Sequence, residues 1–141
     1  MCGAQDDGID ASGAAAAVAD TVRVPAGSCA WSGLAIARAI HLEGAGVGRT
    51  NIAVSANSVT KQSAGVTRIS GFHFSRSGGG NQVKAFTIDG SWRGAEPVVF
   101  ERNLFTVNGS GRFLILVAGG VIIADNEFTG GRDDSFLQIK D

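Results

Sequence analysis

Phe100-Glu-Arg-Asn-Leu-Phe105 and Ile123-Ala-Asp-Asn-Glu-Phe128 share one plan: a large apolar residue stands five positions before a phenylalanine, and an asparagine stands two before it. Ile69-Ser-Gly-Phe-His-Phe74 repeats the apolar spacing earlier in the chain. Between these units lie short alternating segments of a second kind, Phe86-Thr-Ile88, Leu114-Ile-Leu116 and Leu137-Gln-Ile139. Asn103 and Asn126, Phe105 and Phe128, and Leu114 and Leu137 are all separated by the same interval of twenty-three positions. A repeat near that length, built of strand-like pieces, is what coils stacked into a solenoid produce.

In such a stack each short strand pairs with its copy one coil away, and like side chains pile into columns. Phe105 over Phe128 is one expected column, and Leu114 and Leu116 over Leu137 and Ile139 another. Phe74, Phe86 and Ile88 extend them across a longer coil. Asn103 and Asn126 suit a sharp bend, because asparagine tolerates the left-handed conformation and bonds its own backbone. One coil apart, their amides are also in place to bond each other. Asp89-Gly90 and Asn108-Gly109 are hairpin cues, so a sandwich is the competing architecture. The shared register of the last two units argues against it.

The chain has 141 residues, enough for one domain, with 44% hydrophobic side chains, 21 glycines and two prolines. Twelve basic against thirteen acidic residues give a net charge of -1, so no nucleic-acid partner is expected. No apolar run approaches the roughly 18 residues of a membrane helix, so no membrane span is expected. Cys2 and Cys29 can form at most one disulfide. Asp6 and Asp7 stand where a signal peptide would need positive charge. The chain is thus intracellular or begins after a removed leader, and the compartment stays open.

Residues 1–19 read as an N-terminal arm or short capping helix, with Ser12 before an alanine run. From 20 to 141 the pattern is one of short strands. Thr21-Val-Arg-Val24 alternates and Pro25-Ala-Gly27 stops it; Leu34-Ala-Ile36, Ile40-His-Leu42 and Asn51-Ile-Ala-Val54 follow.

Thr21-Val-Arg-Val-Pro-Ala-Gly-Ser-Cys-Ala-Trp31, followed by Ile40-His-Leu-Glu-Gly-Ala-Gly-Val-Gly-Arg-Thr50, resembles the opening coils of the pectate-lyase-like superfamily. The later Ile-Ser-Gly-Phe and Asn-x-Phe units resemble the coil consensus of the same group. The resemblance spans about residues 20–139 and implies an all-β, right-handed parallel β-helix of about five to six coils. It says little about activity, since lyases, hydrolases, epimerases, phage tail parts and adhesins share the scaffold.

Carboxylates are the main catalytic material. Glycoside hydrolysis needs two of them about 5–9.5 Å apart. Polyuronate elimination needs a base with Ca²⁺ or an arginine to neutralise the sugar carboxylate, so Ca²⁺ is a possible cofactor and no other is expected. Arg102 stands one repeat interval before Asp125, which makes them expected ion-pair partners on adjacent coils. With Asp133 and Asp134 they form the candidate catalytic group; the plainer alternative is a solvated surface with one weak salt bridge. Trp92 and Arg93 lie in a loop-like stretch where an exposed indole can stack on a sugar ring, and packing over a coil corner is the alternative.

His41 and His73 lie between apolar neighbours and turn outward, where one shared face could bring them together, and only Glu43 offers itself as a third metal ligand. Gly44-Ala-Gly-Val-Gly-Arg-Thr50 departs from a phosphate-binding loop, with Glu43 at the first glycine position and Arg49 at the lysine. Those glycines read as a turn where coils come close.

Two functions compete. One is a carbohydrate-directed protein that binds or cleaves a polysaccharide on its outer face. The other is a non-catalytic structural, assembly or adhesion module. Whether the chain is an enzyme stays open. Uncovered coil ends also predict a homo-oligomer, because open strand edges recruit further strands.

Overall fold

A computed structural model of the chain describes residues 21–55, 57–60, 64–77, 84–89, 96–108, 114–130 and 137–139. The arm or helix expected over residues 1–19 lies outside them. The described strands are all parallel and fall into three five-stranded sheets. The first contains β1 (Thr21–Val24), β4 (His41–Gly44), β7 (Thr67–Ser70), β10 (Val98–Glu101) and β13 (Val121–Ala124). The second contains β2 (Gly27–Ser32), β5 (Thr50–Ser55), β8 (His73–Ser77), β11 (Leu104–Asn108) and β14 (Glu127–Gly130). The third contains β3 (Ala35–Ile36), β6 (Asn57–Thr60), β9 (Lys84–Asp89), β12 (Leu114–Ala118) and β15 (Leu137–Ile139).

The chain thus visits the three sheets in turn and winds a parallel β-solenoid of roughly four turns. Hairpin pairing is absent among the described strands: β12 pairs with β9 and β15, and β13 with β10.

Alternation decides which side chains go inside. Leu42, Ile69 and Phe100 are register neighbours in the first sheet, all 1% exposed. In the second sheet Ile52, Phe74, Phe105 and Phe128 follow one another. Phe105 stacks on Phe128 at 4.9 Å and on Phe74 at 5.4 Å, with ring planes within 10° and 28°. Each such buried side chain contributes about 1.5–3 kcal/mol, and each aromatic contact about 0.5–1.5 kcal/mol more. The expected phenylalanine column is present and continues through Phe74.

The expected register of the third sheet needs correction. Leu137 faces Ile115 and Ile139 faces Val117, where Leu114 and Leu116 were expected, so the interval is one position shorter here. Ile115 and Val117 also face Phe86 and Ile88 across a register shift at Leu114/Ile115. A one-residue slip exchanges the register of the two faces of a strand, so Ile115 and Val117 take the register positions expected of Leu114 and Leu116.

The corner between first and second sheets carries the asparagines. Asn103 Nδ2 donates to Asn126 Oδ1 at 3.1 Å, so the expected amide contact forms. Asn103 Oδ1 accepts from Phe72 N at 3.1 Å, and its Nδ2 also donates to Ile69 O at 3.0 Å. The left-handed residue of this corner is not the asparagine, however. It is the residue before it: φ is +53° at both Arg102 and Asp125, and +78° at Gly71.

Candidate functional site

The outward side chains of the first sheet form two columns. Thr21, His41, Arg68, Val99 and Ile122 make one; Arg23, Glu43, Ser70, Glu101 and Ala124 make the other. Adjacent strands lie about 4.8 Å apart, so charges in these columns meet across coils. Arg23 Nε pairs with Glu43 Oε2 at 3.3 Å. Glu101 Oε1 is bonded by Arg68 Nη1 from the neighbouring strand and by Arg102 Nη2 at 3.1 Å.

Glu101 is the best shielded of these groups, with its side chain 18% exposed. The hydrogen bond from Arg68 is the largest influence on it and holds its carboxyl below the ordinary value of 4.5; burial opposes this, and the charges of both arginines and the bond from Arg102 reinforce it. A general acid for glycoside cleavage needs the opposite shift. Glu43 and Glu101 are two strands apart, about 9.6 Å between backbones, just beyond the carboxyl separation of about 9.5 Å that bounds an inverting pair. Glu101 is therefore held in the wrong protonation state for a general acid.

A groove of about 340 Å³ lies over Glu43, Ser70, Gly71, Arg102 and the loop from Ala45 to Val47. A neighbouring depression of about 450 Å³ is lined by Arg23, Val24 and Pro25 and shares Glu43, Gly44 and Ala45 with it. The loop is fixed from below. Thr50, fully buried, donates to the Pro25 carbonyl at 3.1 Å and accepts from Ala45 N at 2.8 Å. Gly44 and Gly71 have no room for a side chain, because a Cβ on either would run into the other's carbonyl. The expected close approach of coils at Gly44 is present.

Comparison with family models, with curated proteins and with solved structures returns no match.

Of the expected catalytic group, the structure brings Arg102 and Asp125 to equivalent corner positions on adjacent coils, where Arg102 N donates to Ala124 O. The Arg102 guanidinium is nevertheless bonded to Glu101, and an Arg102–Asp125 ion pair is not among those formed by the described residues. Asp133, Asp134, Trp92 and Arg93 lie outside the described residues. His41 and His73 do not share a face: His41 is on β4 of the first sheet and His73 on β8 of the second. Among the described residues, no three His, Cys, Asp or Glu side chains are grouped to hold a metal. Glu43 and Glu101 are already committed to arginines, which makes a poor Ca²⁺ cradle of this groove.

Arg68, Ser70 and Glu101 are residues the sequence reading missed, and Glu43 entered it only as a metal-ligand candidate. Their signal was present in the six-residue units. Aligning Ile69, Phe100 and Ile123 also aligns Ser70 with Glu101 and Gly71 with Arg102. Carried back to Leu42, the same alignment brings in Glu43.

Proposed function

We propose that this chain binds a polysaccharide along the outer face of its first sheet, on a right-handed, pectate-lyase-like solenoid. One observation carries the reading: Glu43, Ser70 and Arg102 line the groove, and the glutamates of this face are ion-paired, Glu43 with Arg23 and Glu101 with both Arg68 and Arg102. Arg23, Arg68 and Arg102 against Glu43 and Glu101 leave this face with positive charge in excess, which suits a hydroxyl-rich or acidic chain. The lowered Glu101 argues against hydrolysis through that residue, so binding without cleavage is the form we favour. Arg102, with a side chain 67% exposed, is the contact residue of this proposal, and Asp125 lies on the next corner. Trp92, Arg93, Asp133 and Asp134 stay as proposed contacts beyond the described residues.

Calorimetric titration of the full chain with pectin, alginate, glycosaminoglycan and neutral glucan oligosaccharides tests this. The same samples are followed for unsaturated uronates and new reducing ends. Binding of at least one glycan, weakened about tenfold by Arg102→Ala, is the expected result; a side chain giving two charge-assisted hydrogen bonds is worth about that much. Absence of binding across the panel at millimolar ligand removes the reading.

A second reading, an assembly module, is favoured by Ile122. It is 48% exposed at the last strand of the first sheet, beside Val99 in the same outward column. Light scattering that finds an oligomer broken by Ile122→Lys would support it.

A further inference from the structure

The outer face of the second sheet carries a line of side-chain contacts that the groove does not use. Asn51 Oδ1 lies 3.0 Å from His73 Nδ1, His73 Nε2 lies 2.9 Å from Thr106 Oγ1, and Thr106 Oγ1 lies 3.0 Å from Thr129 Oγ1. Chemistry orients this line. An amide oxygen can only accept, so Nδ1 carries the ring proton. In the neutral ring Nε2 is then the acceptor, and the Thr106 hydroxyl donates to it. Thr129 in turn donates to Thr106.

A hydroxyl within hydrogen-bond reach of an imidazole, itself oriented by a third group, is the arrangement that activates a nucleophile. We propose that Thr106, His73 and Asn51 form such a set and hydrolyse short-chain acyl esters. Thr106 and His73 are the catalytic residues, and Asn51 is a positioning residue.

The surroundings specify the acyl group. Thr106 faces Ser75, Ser75 faces Ala53, and Ala53 faces Ala30 along one outward column. Ser75, Ala53 and Ala30, with Ser32, Ser55 and the buried Trp31 and Val54, line a depression of about 180 Å³ beside it. The small side chains of its outward positions, Ala30, Ala53 and Ser75, leave room for an acetyl-sized group. Ser75, directly across from Thr106, is placed to donate to the developing oxyanion, a role side-chain hydroxyls fill.

The steps balance with water as the only co-reactant. Thr106 Oγ adds to the ester carbonyl carbon while its proton passes to His73 Nε2. The tetrahedral intermediate collapses, the ester C–O bond breaks, and the alcohol leaves with that proton. Water then adds to the acyl-threonine, again giving a proton to Nε2. Thr106 Oγ leaves, recovers the proton, and the carboxylic acid departs.

The full chain is assayed with p-nitrophenyl acetate, which carries no glycan, so the outcome is independent of the binding proposal above. Wild type is expected to release p-nitrophenol and to carry an acetyl adduct on the peptide containing position 106. Thr106→Val, which keeps the shape without the hydroxyl, and His73→Gln should each lose about 100-fold or more, the usual contribution of a positioned base. Thr106→Ser should keep activity and the adduct, and it decides the matter if the valine variant does not fold.

Asn51→Asp should move the acid limb of the pH–rate profile upward, because a carboxylate beside Nδ1 favours the imidazolium. No charged residue of β5 or β11 contributes to that limb; Glu127, two strands away in the His73 column, is the acidic residue of that sheet's described strands. Wild type without release above buffer, or a folded Thr106→Val with the wild-type rate, overturns the proposal. The second result would mean that a lone surface imidazole does the work.

Discussion

The chain turns from first to second sheet through Gly71-Phe72 after β7, but through Arg102-Asn103 after β10 and Asp125-Asn126 after β13. The backbone does nearly the same thing each time, with a left-handed residue at the first position. What differs is how the polar groups are satisfied. Phe72 offers no side-chain acceptor, and its N–H is taken by Asn103 Oδ1 from the following coil. Asn103 N is taken in the same way by Asn126 Oδ1 at 3.0 Å, while Asn126 Nδ2 reaches back to Phe100 O at 2.8 Å. Each asparagine therefore supports the corner before its own.

Unequal support gives the largest expected effect. Asn103 is 1% exposed and Asn126 is half-buried. Asn103→Ala strands the Phe72 N–H in the core and takes away one donor to the Ile69 carbonyl and one to Asn126. One buried N–H left unsatisfied, with the two amide bonds lost, costs about 2–4 kcal/mol together. Asn126→Ala leaves Asn103 N without its amide acceptor nearer the surface and removes one donor to Phe100 O, for about 1–2 kcal/mol. Urea unfolding of both variants measures this. Equal losses would mean that the two corners are interchangeable and that the direction of support is not what counts.

Next in size is the pH dependence of the ion-paired face, which begins one residue before the corner. Glu101 has its folded-state pKa lowered, first by the Arg68 hydrogen bond. A lowered carboxylate binds fewer protons folded than unfolded, so its contribution is full above the unfolded value near 4.5 and is lost as pH falls through the lower folded value. Glu101→Gln keeps the shape and removes that titration. Comparing urea midpoints at about pH 7 and about pH 3, the wild type should lose more stability than the variant. Parallel losses would mean that other carboxylates govern the acid limb.

The corner was largely legible in sequence, and the face beside it was not. Asn103, Asn126 and the phenylalanines repeat at one interval because β10, β11, β13 and β14 belong to two successive coils in the same register. Earlier coils differ in length. The step from Thr21 to its register partner His41 is shorter than that interval, while the steps from His41 to Arg68 and from Arg68 to Val99 are longer and unequal. A pair such as Arg68–Glu101 therefore has no fixed interval to betray it. The third sheet slipped for a related reason: Leu114-Ile-Leu-Val117 is apolar at every position, so alternation cannot say which set points inward. His73 and Thr106 are diagonal neighbours, since His73 faces Leu104 and Thr106 faces Ser75, and no one-coil interval links them.

The smallest effect returns to the left-handed position. Glycine is required at Gly71, where a Cβ would meet the Gly44 carbonyl. Arginine at the same conformation after β10 carries a steric cost of about 1–2 kcal/mol, and glycine there would recover it less about 0.5–1 kcal/mol of added unfolded-chain entropy. Arg102→Gly also gives up an exposed bond to Glu101, worth little in solvent. The net change should be a gain between zero and about 1 kcal/mol. Asp125→Gly should gain less, because aspartate tolerates the left-handed region better than arginine does. If the stabilised Arg102→Gly chain also loses its affinity for glycan, the strain at this corner is explained by the guanidinium it presents to the groove. A stabilised variant that binds as before would leave Arg102 with no functional reason to occupy a position suited to glycine.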